Sequence, residues 1–238
     1  MSEKLGILFL HHDLSAVAQN NLRSVRKENP GATVVTMSAG EAWPGGYSIE
    51  ATPAIKVLHA VNTKRSSDWL VCSWFTQRRE KCDKWWIIEW DVFCTVPVRE
   101  YYAPVWHFPF VVSGVRYLYR EPEWGWFSHR DKLPEEYWPY AMGAAPFLYL
   151  LDDEALGTIC ATHLKKPFTV GNGELRFTTV ANKCGYPPCG YSPPEDYIGW
   201  LPWTEVPKHR RGIFHPVKYL VDYEAMKKRK VRKQKEKG

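Results

Sequence analysis

Ile87-Ile88-Glu89-Trp90-Asp91 runs an apolar stretch into two carboxylates two residues apart. On a strand that spacing puts both carboxylates on one side. Two hard oxygen donors at a strand's carboxyl end suit Mg²⁺ or Mn²⁺ bridging a diphosphate. They are costly to hold there without a cation or a cationic partner. The alternative is a strand end that reaches solvent, with Glu89 paired to a lysine or arginine. His215-Pro216-Val217-Lys218 is the second signal. The residue before a proline is held extended, so His215 is not expected inside a helix. Its imidazole can complete a Mn²⁺ site, and Lys218 can meet a phosphate as a point charge. The plainer reading is a surface histidine near a basic tail. The third is Gly171-Asn172-Gly173-Glu174-Leu175-Arg176. Glu174 falls in the first turn of a capped helix, where the helix dipole favours its ionised form. A carboxylate there either steadies the helix or serves as general base toward a hydroxyl within reach. Asp152 and Asp153 compete for that base role, and one of them is expected to be an N-cap.

The elements that must position these groups follow from patterning. Leu5–Leu10 is a continuous apolar run, as in a buried parallel strand. Asp13 can cap a helix in which Leu14, Val17, Ala18, Leu22 and Val25 recur at helical spacing, with Gln19, Asn20, Arg23 and Arg26 opposite. Asn29-Pro30-Gly31 ends it, and Ala32–Met37 is a second strand. Strand, helix, strand implies a parallel pair with a right-handed crossover. Ser38-Ala39-Gly40-Glu41 and Pro44-Gly45-Gly46 are turns after that second strand, where open α/β sheets bind ligands. Further helices are expected over Asp68–Arg79, from Asp152 or Asp153 to about Leu164, and over Glu174–Lys183 behind the cap Asn172. Trp85–Ile88 and Phe110–Val112 read as strands, and Ala145–Leu151 as an apolar run.

Composition bounds the rest. The 238 residues are 45% hydrophobic and 24% charged, which fits one globular domain and excludes whole-chain disorder. No run of 18 apolar residues suggests a membrane-spanning helix, and the start does not read as a signal peptide. A cytoplasmic protein is expected. Six cysteines without CxxC spacing read as free, mostly buried thiols. The net charge of +6 comes from the tail, since residues 227–238 hold eight Lys or Arg against one Glu. The remaining chain carries about one net negative charge, which argues against a nucleic-acid-binding domain. The tail is a solvated end, a peripheral docking element for anionic lipid or, in a eukaryotic host, a nuclear-import signal.

Taken in chain order, these signals resemble a GT-A-type glycosyltransferase. The opening strand–helix–strand, the strand ending in Glu89-Trp90-Asp91, the helix starting with Glu174 and the late His215 carry that resemblance. It implies an α/β fold, a GT-A-like (Rossmann-like) mixed, mainly parallel sheet flanked by helices in a single domain. A donor half would span about 1–95 and an acceptor half about 96–226, with a basic tail over 227–238. Glu89 and Asp91 would stand where the superfamily has its DxD motif, with His215 as a further ligand to Mn²⁺ or Mg²⁺. Lys218 would contact the diphosphate of a nucleotide-sugar donor, and Ser38 and Glu41 would lie near its base and ribose. Glu174, or Asp152 in its place, would act on the hydroxyl of a carbohydrate or other acceptor. Trp124, Trp126, Trp138, Trp200 and Trp203 lie in loop-rich parts, where an acceptor sugar could stack. The resemblance does not say whether the sugar's configuration is inverted or retained. The rivals are a non-catalytic carbohydrate-binding protein on the same fold and a metal-dependent nucleotidyltransferase. The second usually needs a glycine-rich basic loop where His11-His12-Asp13-Leu14 stands.

Overall fold

A computed structural model describes residues 3–12, 15–38, 42–48, 67–117, 120–125, 133–144, 146–168, 172–193, 197–199, 202–203, 205–206 and 210–222. The chain opens with β1 (Leu5–His11), α1 (Ala16–Glu28) and β2 (Thr33–Ser38), and β1 and β2 pair in parallel, as expected. The side chain that caps α1 is Ser15, which accepts from the Ala18 amide. Asp13, the expected cap, lies outside the described residues.

Further along come β3 (Tyr47–Ser48), α2 (Ser67–Gln77), β4 (Lys84–Glu89) and β5 (Phe93–Cys94). Next are α3 (Val98–Tyr101), β6 (Phe110–Val112), β7 (Val115–Tyr117), β8 (Met142–Ala144) and β9 (Tyr149–Asp152). The last are α4 (Asp153–Lys165), α5 (Gly173–Lys183), β10 (Cys189–Gly190) and β11 (Ile213–Phe214). Among the described residues, the main sheet has seven strands in the order β10-β6-β9-β4-β1-β2-β3. Only β9 runs against its neighbours β4 and β6, so the sheet is mixed and mainly parallel, in agreement with the sequence.

Both faces of the central strands are buried, which is why those strands read as unbroken apolar runs rather than alternating ones. Leu8, Leu10, Trp85 and Ile87 enter the core that α2, α4 and α5 cover. Ile7, Phe9, Trp86 and Ile88 enter the opposite core, with Leu22 and Val25 of α1. Gly6 pairs with Trp85, and a Cβ there would lie 2.4 Å from the indole, so only glycine leaves room for that ring.

Two features depart from the sequence reading. Asn20 is buried rather than on an open face of α1. Asp152 occupies the position before α4 without capping it, because its carboxylate pairs with Lys84 at 2.5 Å. Lys84 is itself buried, and its ammonium also donates to the carbonyls of Trp106 and Phe108. Four cysteines are buried and two are half-buried, and none is in a disulfide. Among the described residues, no helix is long and apolar enough to cross a membrane. The basic tail lies outside the described residues.

Candidate metal centre

β4 delivers Glu89 to the carboxyl edge of the sheet, level with Leu10 of β1, whose next residue His11 is level with Ser38 of β2. The chain turns over Trp90 and Asp91 and then forms β5. β11 pairs with β5 in antiparallel register, Phe214 opposite Phe93 and Ile213 opposite Cys94. That pairing carries His215 back over the turn, and the Val217 amide donates to the Asp91 carbonyl at 2.7 Å. Glu89, Asp91 and His215 thus offer one ligand atom each within 4.8 Å of one another. Lys218 Nζ stands 3.7 Å from the other Asp91 oxygen and over the Trp90 ring.

Two side chains that the sequence reading passed over hold this arrangement. Asn21 on α1 donates through Nδ2 to the carbonyls of Trp90 and Val217, stitching the acidic turn to the histidine segment. Its position was a signal, since it lies four residues from both Val17 and Val25, on the apolar stripe. Ser67, the first residue of α2, donates to Glu89 Oε1 at 2.7 Å. Nothing in the sequence places Ser67 near residue 89.

The donor chemistry fits a divalent cation. Asp91 and His215 are 5% and 6% exposed, so their charges are little screened by water. His215 Nε2 lies 3.2 Å from Asp91 Oδ1, yet that buried oxygen has no hydrogen bond. Nδ1 of His215 faces the Gly199 carbonyl at 3.2 Å. A carbonyl only accepts, so Nδ1 carries a proton, and Nε2 is the ring nitrogen that faces the carboxylates. Burial, then the neighbouring Asp91 charge, raises the Glu89 pKa against the help of Ser67, His215 and Lys218. Burial disfavours the His215 imidazolium, but Asp91, Glu89 and the Gly199 carbonyl outweigh it, and its pKa is raised. Both directions describe carboxylates short of positive charge, which a bound cation would supply.

Glu174 follows the cap as expected, since Asn172 accepts from the Leu175 amide and the Asn172 side chain also donates to the Glu174 carboxylate. Burial, and then the carboxylates of Glu174, Glu89 and Asp68, raises the Tyr149 phenol. Asp152 is not brought to the centre. It pairs in register with Lys84, at the opposite end of β4 from Glu89, about 17 Å away at ~3.3 Å per strand residue. Its carboxylate neutralises a buried lysine and has no path to an acceptor at Glu89. Ser38 is buried at the site's edge of the sheet. Glu41, Trp126 and Trp200 lie outside the described residues. Of the other tryptophans, Trp124 covers Gly143 and Trp203 packs on Tyr197 and Phe214, so both are packing residues. Trp138 is 41% exposed and remains open to a ligand.

No protein-family model matches the chain, and no curated protein matches its sequence. Solved structures do. A galactosyltransferase LgtC with donor and acceptor sugar analogues is 14% identical, with a TM-score of 0.38, over 62% of this chain and 57% of that one. An active-site mutant of LgtC is 12% identical, with a TM-score of 0.43, over 78% and 72%. Glucosyl-3-phosphoglycerate synthase from Mycobacterium tuberculosis, with Mn²⁺, UDP and phosphoglyceric acid, is 12% identical, with a TM-score of 0.43, over 75% and 63%. The chain therefore spans less than two thirds of two of these three. Likenesses this distant assign no activity.

Proposed function

We propose that this chain is a GT-A-type glycosyltransferase that moves a sugar from a nucleotide-sugar donor to a hydroxyl of a glycan or other acceptor. The observation that carries the reading is the convergence of Glu89, Asp91 and His215 beside Lys218, at the carboxyl edge of a mainly parallel sheet. Two carboxylates and an imidazole are a ligand set for Mn²⁺ or Mg²⁺. When bound, such a cation offsets the charge that grows on a departing diphosphate. Lys218 adds a mobile positive charge, half exposed, on the same side. Asn21 and Ser67 keep the ligands in place, so less reorganisation is left to the donor's arrival.

Glu174 is assigned the acceptor's proton. Its carboxylate takes the proton from the attacking hydroxyl as that oxygen bonds to the sugar's anomeric carbon and the bond to the diphosphate breaks. The first turn of α5 favours its charged form until then. Ser38 and Glu41 are proposed to line the nucleoside end, and Trp138 to stack an acceptor sugar.

The test is a panel of UDP-, GDP-, CMP- and dTDP-sugars with and without Mn²⁺, scored for thermal stabilisation and slow donor hydrolysis. Metal-dependent stabilisation and hydrolysis of one donor is expected. Asp91→Asn should abolish turnover in a folded protein, and near-wild-type turnover would sink the metal assignment. Glu174→Gln should lower turnover while donor binding persists, and loss of donor binding would remove Glu174 from the base role. Silence across the panel would favour a carbohydrate-binding protein without catalysis.

A further inference from the structure

Behind the centre lies a buried charge cluster that the proposed reaction does not use. Asp68 is fully buried and accepts from Arg176 Nη2 at 2.7 Å, Arg176 Nε at 2.8 Å and His163 Nε2 at 2.8 Å. His163 is itself fully buried, stacked on Trp69 and edge-on to Phe168. These three residues come from α2, α5 and α4, so one carboxylate joins three helices. Buried ion pairs are weak sources of net stability, but in some proteins they fix registry.

What this registry fixes is legible in the neighbours. The residue before Asp68 is Ser67, whose hydroxyl holds Glu89 Oε1. The start of α5 sits directly on Asp68: a Cβ on Gly173 would lie 2.8 Å from Asp68 Oδ1. The residue after Gly173 is Glu174. Glu89 and Glu174 are therefore each one residue, or one residue and a hydrogen bond, from the same joint. A hydroxyl on Oε1 fixes the rotation of the Glu89 carboxylate and so the direction of the lone pairs left to a metal.

We propose that Ser67 is a positioning residue for metal binding at Glu89, and that the Asp68–Arg176–His163 joint sets the separation between Glu89 and Glu174. The inference rests on the metal-centre reading above and deepens it. Outer hydrogen-bond partners of metal ligands typically govern affinity by about 10–100-fold, because a ligand left free to rotate must be ordered by the ion.

The experiment is a Mn²⁺ titration of the full chain, followed by electron paramagnetic resonance of the free ion, with the melting temperature of each variant as a control. Ser67→Ala should weaken Mn²⁺ binding by about 10-fold or more with its melting temperature little changed. Ser67→Thr, which keeps the hydroxyl, should restore binding. Wild-type Mn²⁺ affinity in Ser67→Ala, with binding lost in Asp91→Asn, would overturn the positioning role while leaving the metal centre standing. No Mn²⁺ binding by the wild type would overturn both. Should Ser67→Ala not fold, Ser67→Cys, nearly the same shape with a weaker donor, carries the same expectation of weakened binding. For the joint, Arg176→Lys keeps the charge but not the two-pronged contact. It should lower kcat more than it raises the donor KM, and a change in KM alone would refute it.

Discussion

Arg176→Met removes the cation that faces Asp68 and keeps most of the side-chain volume. Arg176 and Asp68 are 2% and 0% exposed at their side chains, so water cannot take over the lost contact. His163 would then be the one remaining partner of the three hydrogen bonds described. Breaking a buried pair by deleting one partner costs about 3–5 kcal/mol, out of the roughly 5–15 kcal/mol that holds a typical domain folded. At about 2–4 °C per kcal/mol for a chain near this size, the melting temperature should fall by roughly 6–20 °C. Urea unfolding followed by tryptophan fluorescence measures the loss directly. The double variant Asp68→Leu/Arg176→Met takes away both charges and should regain part of the loss, with a coupling of about 2 kcal/mol or more. A single-variant loss under about 1 kcal/mol, or effects that add to within ~0.5 kcal/mol, would refute the joint as the tie between these helices.

Acidification should act through the same carboxyl. Burial alone would raise the Asp68 pKa, but Arg176 and His163 hold it well below the ordinary carboxylate range. The unfolded chain binds that proton first, so the stabilisation is complete above about pH 4 and drains away as pH falls toward the folded value. The urea midpoint should therefore drop below pH 4, more steeply in the wild type than in Asp68→Asn. Asp152→Asn should leave donor hydrolysis unchanged and cost about 1.5–3 kcal/mol through the buried Lys84, whereas a collapse of turnover would return Asp152 to the chemistry. Gly6→Ala should destabilise by about 1–3 kcal/mol, read by melting, because its methyl would press into the Trp85 ring.

Much of the frame was legible in the sequence for a physical reason. Strands buried on both faces, such as Ile7–Leu10 and Trp85–Ile88, admit only apolar residues, and α5 announces itself by its cap Asn172. The acidic pair was legible because two carboxylates at the end of such a strand are conspicuous. Asp152 misled because an aspartate before a helix looks like a cap or a base, and its partner Lys84 is an apolar-strand residue 68 positions away, hidden by its own burial. Ser67 and Asp68 were not legible as site residues, because their meaning lies wholly in partners from other elements: Glu89, His163 and Arg176. Single-residue periodicity carries no record of such contacts.

The pairing of β11 with β5 has a consequence for how the centre comes into being. Glu89 and Asp91 belong to the first half of the chain, but the imidazole and Lys218 come from the segment after Gly212. That segment is clasped by Asn21, which bonds Val217 across 196 positions of sequence. A chain clipped before Gly212 would keep Glu89 and Asp91 in its sequence, yet would lack His215 and the Val217 carbonyl that Asn21 holds. Mn²⁺ uptake by such a clipped chain should therefore be weaker than by the full chain.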